Sequence, residues 1–139
     1  METKEFIVDA LGGKTKWEYY AGIGWREGQA ASSGLFGPVI HEELFEWIDV
    51  AETVLRANGQ YTFIELGCGF ARWIVFAALA LKQQNPLPAQ WIGLDPEPSH
   101  YAWALEHLKT NEVSNALIME AAVGATDGKA NFFIGAADA

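Results

Sequence analysis

From Pro38 onward the chain alternates between two kinds of apolar spacing. In "PVIHEELFEWIDVAETVLRANG", Ile40, Leu44, Trp47, Ile48, Ala51, Val54 and Leu55 recur at helical intervals. Pro38 suits a first turn, Glu42 and Glu43 favour the positive end of the helix dipole, and Asn58-Gly59 provides a stop. "YTFIEL" reads as a strand, "ARWIVFAALALKQQ" as a helix ending at Asn85-Pro86, and "QWIGLD" as a second strand. "HYAWALEHLKTN" reads as a helix with Tyr101, Leu105 and Leu108 on one face, and "ALIMEAAVG" as a third strand. The helix "ARWIVFAALALKQQ" is apolar almost all round, which predicts burial on more than one side. Asp127-Gly128 before "KANFFIG" predicts a hairpin turn.

Strands alternating with helices predict an α/β fold: a Rossmann-like parallel sheet with flanking helices and right-handed crossovers. Ligands of such sheets bind at the carboxyl ends of the strands, where both "IELGCG" and "GLDPEP" fall. Residues 1–37 follow no such pattern, with glycines at 12, 13, 22, 24, 28, 34 and 37. They read as an irregular arm or cap ahead of the sheet domain of residues 38–139. Trp17, Tyr19, Tyr20 and Trp25 could form a lid over a substrate or pack the arm onto the sheet, and packing is the favoured reading.

Composition narrows the function classes. The 139 residues suffice for one domain, half of them are apolar, and 18 acidic against 9 basic residues give a net charge of -9. The chain is too hydrophobic for disorder and too acidic to bind a phosphate backbone, so no nucleic-acid partner is expected. No apolar run approaches the roughly 18 residues of a membrane span, "WIVFAALALK" is too short, and "METKEFIVDALGGKTK" is not the basic-then-apolar pattern of a secretory signal. No membrane partner is expected either. The single cysteine, Cys68, cannot form an internal disulfide, and a cytoplasmic location is the expectation.

The candidate chemistry lies in "ELGCGF". A strand that ends in a glycine turn and opens a helix brings free backbone N–H groups and the positive end of the helix dipole to one place. Asp95, at the end of the second strand, is placed to accept hydrogen bonds from two ribose hydroxyls. A dinucleotide site would require a third glycine, but Arg72 follows Gly67 and Gly69 there. The acid Glu65, two residues before the first glycine, repels a pyrophosphate and suits a ligand with an amino group. Adenosine joined to an amino acid meets both conditions, and S-adenosylmethionine is the common molecule of that kind.

"FIELGCG", "GLDPEPSHYAWALEHLKTN" and "EAAVGATDGKANFFIG" together resemble the class I S-adenosylmethionine-dependent methyltransferases, and within them the FkbM-type group. The resemblance covers residues 38–135. It implies that Glu65, Gly67, Cys68 and Gly69 line the methionine end of the cofactor, Asp95 the ribose, and Pro96, Glu120 and Ala121 the adenine rim. It also implies O-methylation of a hydroxylated small molecule, a sugar or natural product. The acidic motif that the family places after its fourth strand has no counterpart before Ala139, so the sequence looks like the front half of such a domain. The catalytic base is not assigned, and self-association through open sheet edges and apolar helix faces is expected.

Other readings stand beside these. Asp95 could cap the helix after "PEPS", and Glu97 competes with it for the ribose. Cys68 lies near a helix N-terminus, where a thiol pKa can fall, but it fills the variable slot of a binding turn rather than a catalytic one. Arg72 could reach a ligand carboxylate or point to solvent. His41, His100 and His107 lack ligand-spaced partners, so no metal is expected and they read as surface residues. The rival functions are a dinucleotide-binding oxidoreductase domain and a non-catalytic fragment acting through another chain.

Overall fold

The computed structural model describes residues 6–23 and 43–133. Two strands, β1 (Phe6–Val8) and β2 (Lys14–Lys16), form an antiparallel hairpin that runs into a 3-10 helix over Trp17–Ile23. Then follow α1 (Leu44–Arg56), β3 (Tyr61–Leu66), α2 (Arg72–Gln84), β4 (Ala89–Asp95), α3 (Pro98–Thr110) and β5 (Ala116–Glu120). The last three strands make a parallel sheet in the order β3-β4-β5. This is the predicted α/β arrangement of a parallel sheet flanked by helices.

Strand order explains where the core sits. Successive strands are added in one direction, so right-handed crossovers carry α2 and α3 over the same face. In register across that face stand Phe63, Trp91 and Ala116, then Glu65, Gly93 and Ile118. The core joins Tyr61, Trp91 and Ile118 to Ile74, Val75, Ala77, Leu81, Ala104 and Leu108 of the two helices. Gly93 lets α2 and the glycine turn lie close over the sheet: a Cβ there would come within 3.1 Å of Ile74 on α2, 3.0 Å of the Cys68 sulfur and 2.8 Å of Ile118. On the opposite face, Ile64, Leu66 and Leu117 are between 51% and 61% exposed. No described element covers them.

The helices differ from expectation in detail. α1 packs on α2 through Trp47, whose ring lies 4.4 Å from that of Phe76 and 5.4 Å from that of Trp73. Its buried residues are Trp47, Val50 and Val54, whereas Ile48 and Leu55, expected on the same face, are exposed. The start proposed at Pro38 lies outside the described residues. In α3 the buried set is Ala104, His107 and Leu108, and Leu105 is exposed. α2 is buried on several sides as predicted, so it is not the source of exposed apolar surface.

Two expectations fail outright. The hairpin after Asp127-Gly128 does not form within the described residues: residues 125–128 are bends and 129–133 have no strand partner. A turn sequence favours a hairpin only where its flanks also gain burial, and residues 122–133 are exposed throughout. The N-terminal arm, by contrast, is ordered over residues 6–23. Asp9 makes the β1–β2 turn by accepting from Leu11 N–H and Gly13 N–H at 2.8 Å each. The hairpin is pinned to α3 by Asn111, which accepts from Lys14 N–H (2.7 Å) and donates to Lys14 O (2.9 Å). Tyr19 and Tyr20 are buried with Ile7 and Phe70, so they pack the arm onto the domain; Trp25 lies outside the described residues.

Candidate functional site

The carboxyl ends of β3 and β4 bring the glycine turn and the two predicted acids together. Gly67 (φ +71°) and Gly69 (φ +51°) both occupy the left-handed region, which costs an ordinary residue about 1–2 kcal/mol. Added Cβ atoms there would meet nothing within 4 Å, so conformation rather than crowding calls for glycine. Four of the turn's N–H groups, expected to be free, are already engaged. Gly67 and Cys68 donate to Leu94 O (2.8 and 2.9 Å), Gly69 donates to Asp95 Oδ2 (2.9 Å), and Ala71 donates to Cys68 O (2.7 Å).

Glu65 is buried beneath the turn and accepts from the N–H groups of Trp73 (3.5 Å) and Ile74 (3.1 Å). It therefore caps α2 from a neighbouring strand. The residue at the helix start, Ala71, has no side-chain acceptor and is itself left-handed at φ 59°. The missing Ser, Thr, Asp or Asn before α2 was the available signal that the cap comes from elsewhere. Burial pushes the Glu65 carboxyl up to about 8, partly offset by its backbone donors and by Arg72.

Asp95 is likewise buried. Besides Gly69, it bonds Glu97 N–H (3.0 Å) and His100 Nδ1 (3.2 Å) through Oδ1. The cap of α3 is Glu97, which accepts from His100 N–H at 2.7 Å and from the Ser99 hydroxyl. The two acids thus divide the roles that the sequence left open between them: Glu97 holds the helix start and Asp95 faces the turn. Ala121 N–H bonds Asp95 O (3.1 Å), and Glu120 pairs with Asp95 across the sheet with its side chain exposed. Pro96 is half-buried beside them.

Three side chains depart from their expected roles. Burial, reinforced by the charges of Glu65 and Asp95, pushes the Cys68 thiol up to about 12, not down. Arg72 neither reaches outward for a ligand nor lies in solvent. It bonds Glu43 at 2.6 Å and stands 4.8 Å from the Trp73 ring centre and 5.4 Å from that of Trp47. His107 is not a surface residue but 2% exposed. It bonds Phe70 O (2.9 Å) and Thr15 Oγ1 (3.0 Å), and burial lowers its pKa to about 4. Its place in α3, one turn after Ala104 on the inward face, was the only trace of this in the sequence. His41 lies outside the described residues.

Among the described residues no group of three His, Cys, Asp or Glu side chains could hold a metal, and no helix is long and apolar enough to cross a membrane. No family model matches the chain, and no curated protein matches it. Among solved structures it is similar to a precorrin-6y C5,15-methyltransferase from Geobacter metallireducens GS-15. The identity is 17% and the TM-score 0.44, over 60% of this chain and 40% of that one, so the chain spans less than half of that protein's length.

Proposed function

We propose that the sheet is the S-adenosylmethionine-binding part of a methyltransferase that moves a methyl group to a hydroxyl of a sugar or natural product. The observation that supports it most is the pair of buried acids, Glu65 and Asp95, which flank one left-handed glycine turn at the ends of neighbouring strands. The donor set suits the ligand. An ionised carboxylate offers about four lone-pair sites, and Asp95 has three protein donors, one of them the His100 ring, whose side chain is 41% exposed. His100 can swing away and leave its place to ribose hydroxyls. A ligand ammonium beside Glu65 would favour its ionised form against the burial that now opposes it.

S-adenosylmethionine supplies an already activated methyl group, so the chain's part is to bind, orient and exclude water. Asp95 fixes the ribose, Gly67 and Gly69 let backbone approach the methionine end, and Cys68 fills the floor beneath them as a neutral thiol. Pro96, Glu120 and Ala121 form the adenine rim in this reading. The hydroxylated acceptor rests on the FkbM-type resemblance alone.

The dinucleotide alternative is disfavoured by a specific feature. The N-terminus of α2, where a pyrophosphate would lie, is already capped by the buried Glu65 carboxyl, which occupies the Trp73 and Ile74 N–H groups that would receive it. Calorimetry with S-adenosylhomocysteine and with NAD separates the two readings. Binding of the former alone supports the proposal, and binding of NAD alone overturns it. A radiolabelled-methyl assay over a panel of hydroxylated acceptors then tests the acceptor class.

A further inference from the structure

The turn between β3 and α2 is held in an unfavourable shape. Gly69 and Ala71 are both left-handed, and Ala71, with its Cβ, has no glycine's freedom to be so. Such conformations persist only where the surroundings over-determine them. Between these two residues stands Phe70. Its ring is enclosed by Tyr19 (5.3 Å between centres), Tyr20 (5.2 Å) and His107 (5.4 Å). Its carbonyl accepts from His107 Nδ1 at 2.9 Å.

A carbonyl can only accept, so Nδ1 carries the proton and Nε2 of the neutral ring accepts from the Thr15 hydroxyl at 3.0 Å. The ring is therefore a fixed-tautomer bridge from the N-terminal hairpin to the glycine turn. Its partner on the hairpin side is in turn anchored to α3 through the Lys16–Glu106 pair (2.6 Å) and the Tyr19 hydroxyl on Glu106 (2.8 Å).

We propose that His107 is a positioning residue for the cofactor turn: by bonding Phe70 O from α3 it sets the Gly69–Ala71 conformation. The consequence for ligand affinity rests on the cofactor reading above, whereas the consequence for the turn does not.

Two substitutions separate positioning from packing. In His107→Asn the side-chain amide can take the place of Nδ1 and still donate to Phe70 O, although the lost ring volume lowers stability. In His107→Gln the amide extends to the position of Nε2, keeping Thr15 and more of the volume but withdrawing the donor from Phe70. Amide hydrogen exchange at Gly69 and Ala71 in the full chain is expected to quicken about tenfold more in His107→Gln than in His107→Asn, against the order of their melting temperatures. S-adenosylhomocysteine affinity should fall about tenfold in His107→Gln and stay near wild type in His107→Asn. Exchange and affinity that follow melting temperature in both variants would overturn the proposal. Exchange that follows the donor while no variant, nor the wild type, binds S-adenosylhomocysteine would uphold the positioning role and overturn the cofactor reading instead.

Discussion

The N–H of Gly69 donates to Asp95 Oδ2 at 2.9 Å, so the turn after β3 is fastened to the last residue of β4. One carboxylate therefore shapes the glycine turn and, in the function proposed, receives the ribose. Replacing it should affect both. Asp95→Ala is expected to weaken S-adenosylhomocysteine binding about ten- to a hundred-fold, as the loss of a charged acceptor does. Glu97→Ala removes a helix cap and should cost about 1 kcal/mol of stability with far less effect on affinity. Calorimetry and urea unfolding on both variants decide it; the reverse order would assign the ribose to Glu97.

Glycines 67, 69 and 93 are needed for different reasons and should respond differently. Gly67→Ala and Gly69→Ala place a Cβ in open space at positive φ, so each should cost about 1–2 kcal/mol from conformation alone. Gly93→Ala meets Ile118 at 2.8 Å and Ile74 at 3.1 Å in the core, where overpacking costs about 1–3 kcal/mol and shifts α2 against the sheet. Urea unfolding gives the energies. Shifted side-chain resonances of Ile74 and Cys68 are expected in Gly93→Ala only.

Stability should depend on pH in opposite senses through two buried groups. Glu65 keeps its proton in the fold up to about pH 8 but loses it near 4.5 when unfolded, so its contribution is full below pH 4.5 and is lost as pH rises toward 8. His107 titrates near 4 in the fold and 6.5 unfolded, so its contribution is full above pH 6.5 and is lost as pH falls toward 4. Melting temperature should therefore decline from pH 6.5 to 8 in the wild type and decline less in Glu65→Gln. Between pH 6.5 and about 4.5 the two contributions oppose each other in the wild type, so Glu65→Gln, which keeps only that of His107, should lose stability there more steeply than the wild type. Equal slopes above pH 6.5 would show that Glu65 is ionised in the fold at neutral pH.

The face of the parallel sheet that no described element covers predicts self-association of this chain. Ile64, Ile92 and Leu117 lie side by side across it, as do Leu66, Leu94 and Met119, and parallel sheets are normally covered on both faces. Sedimentation at several concentrations should show mass rising with concentration, and Ile64→Lys with Leu117→Lys should suppress the rise. A concentration-independent monomer would mean that this face tolerates water.

Much of the sheet domain was legible because its signals are local. The strand β3, its glycine turn and the helix α2 follow from apolar spacing and from residues that permit only certain backbone angles, and the structure reproduces them closely. The grouping of Glu65, Gly67, Gly69 and Asp95 was legible for the same reason, since parallel strands joined by right-handed crossovers bring their ends together. The hairpin expected after Asp127 is absent from the described residues because turn chemistry alone does not decide whether flanking segments find a partner.

What the sequence determined by itself, then, is the order of elements from α1 to β5 and the backbone conformations that glycine must supply, both set by neighbours a few residues apart. The tertiary structure alone decided which polar groups answer one another. Glu65 caps a helix that its own residues leave uncapped, Arg72 lies between Glu43 and two tryptophans, and His107 spans Thr15 and Phe70, 92 and 37 residues distant. A buried donor or acceptor must be satisfied by whatever the fold places within about 3 Å of it, and no spacing along the chain encodes that distance.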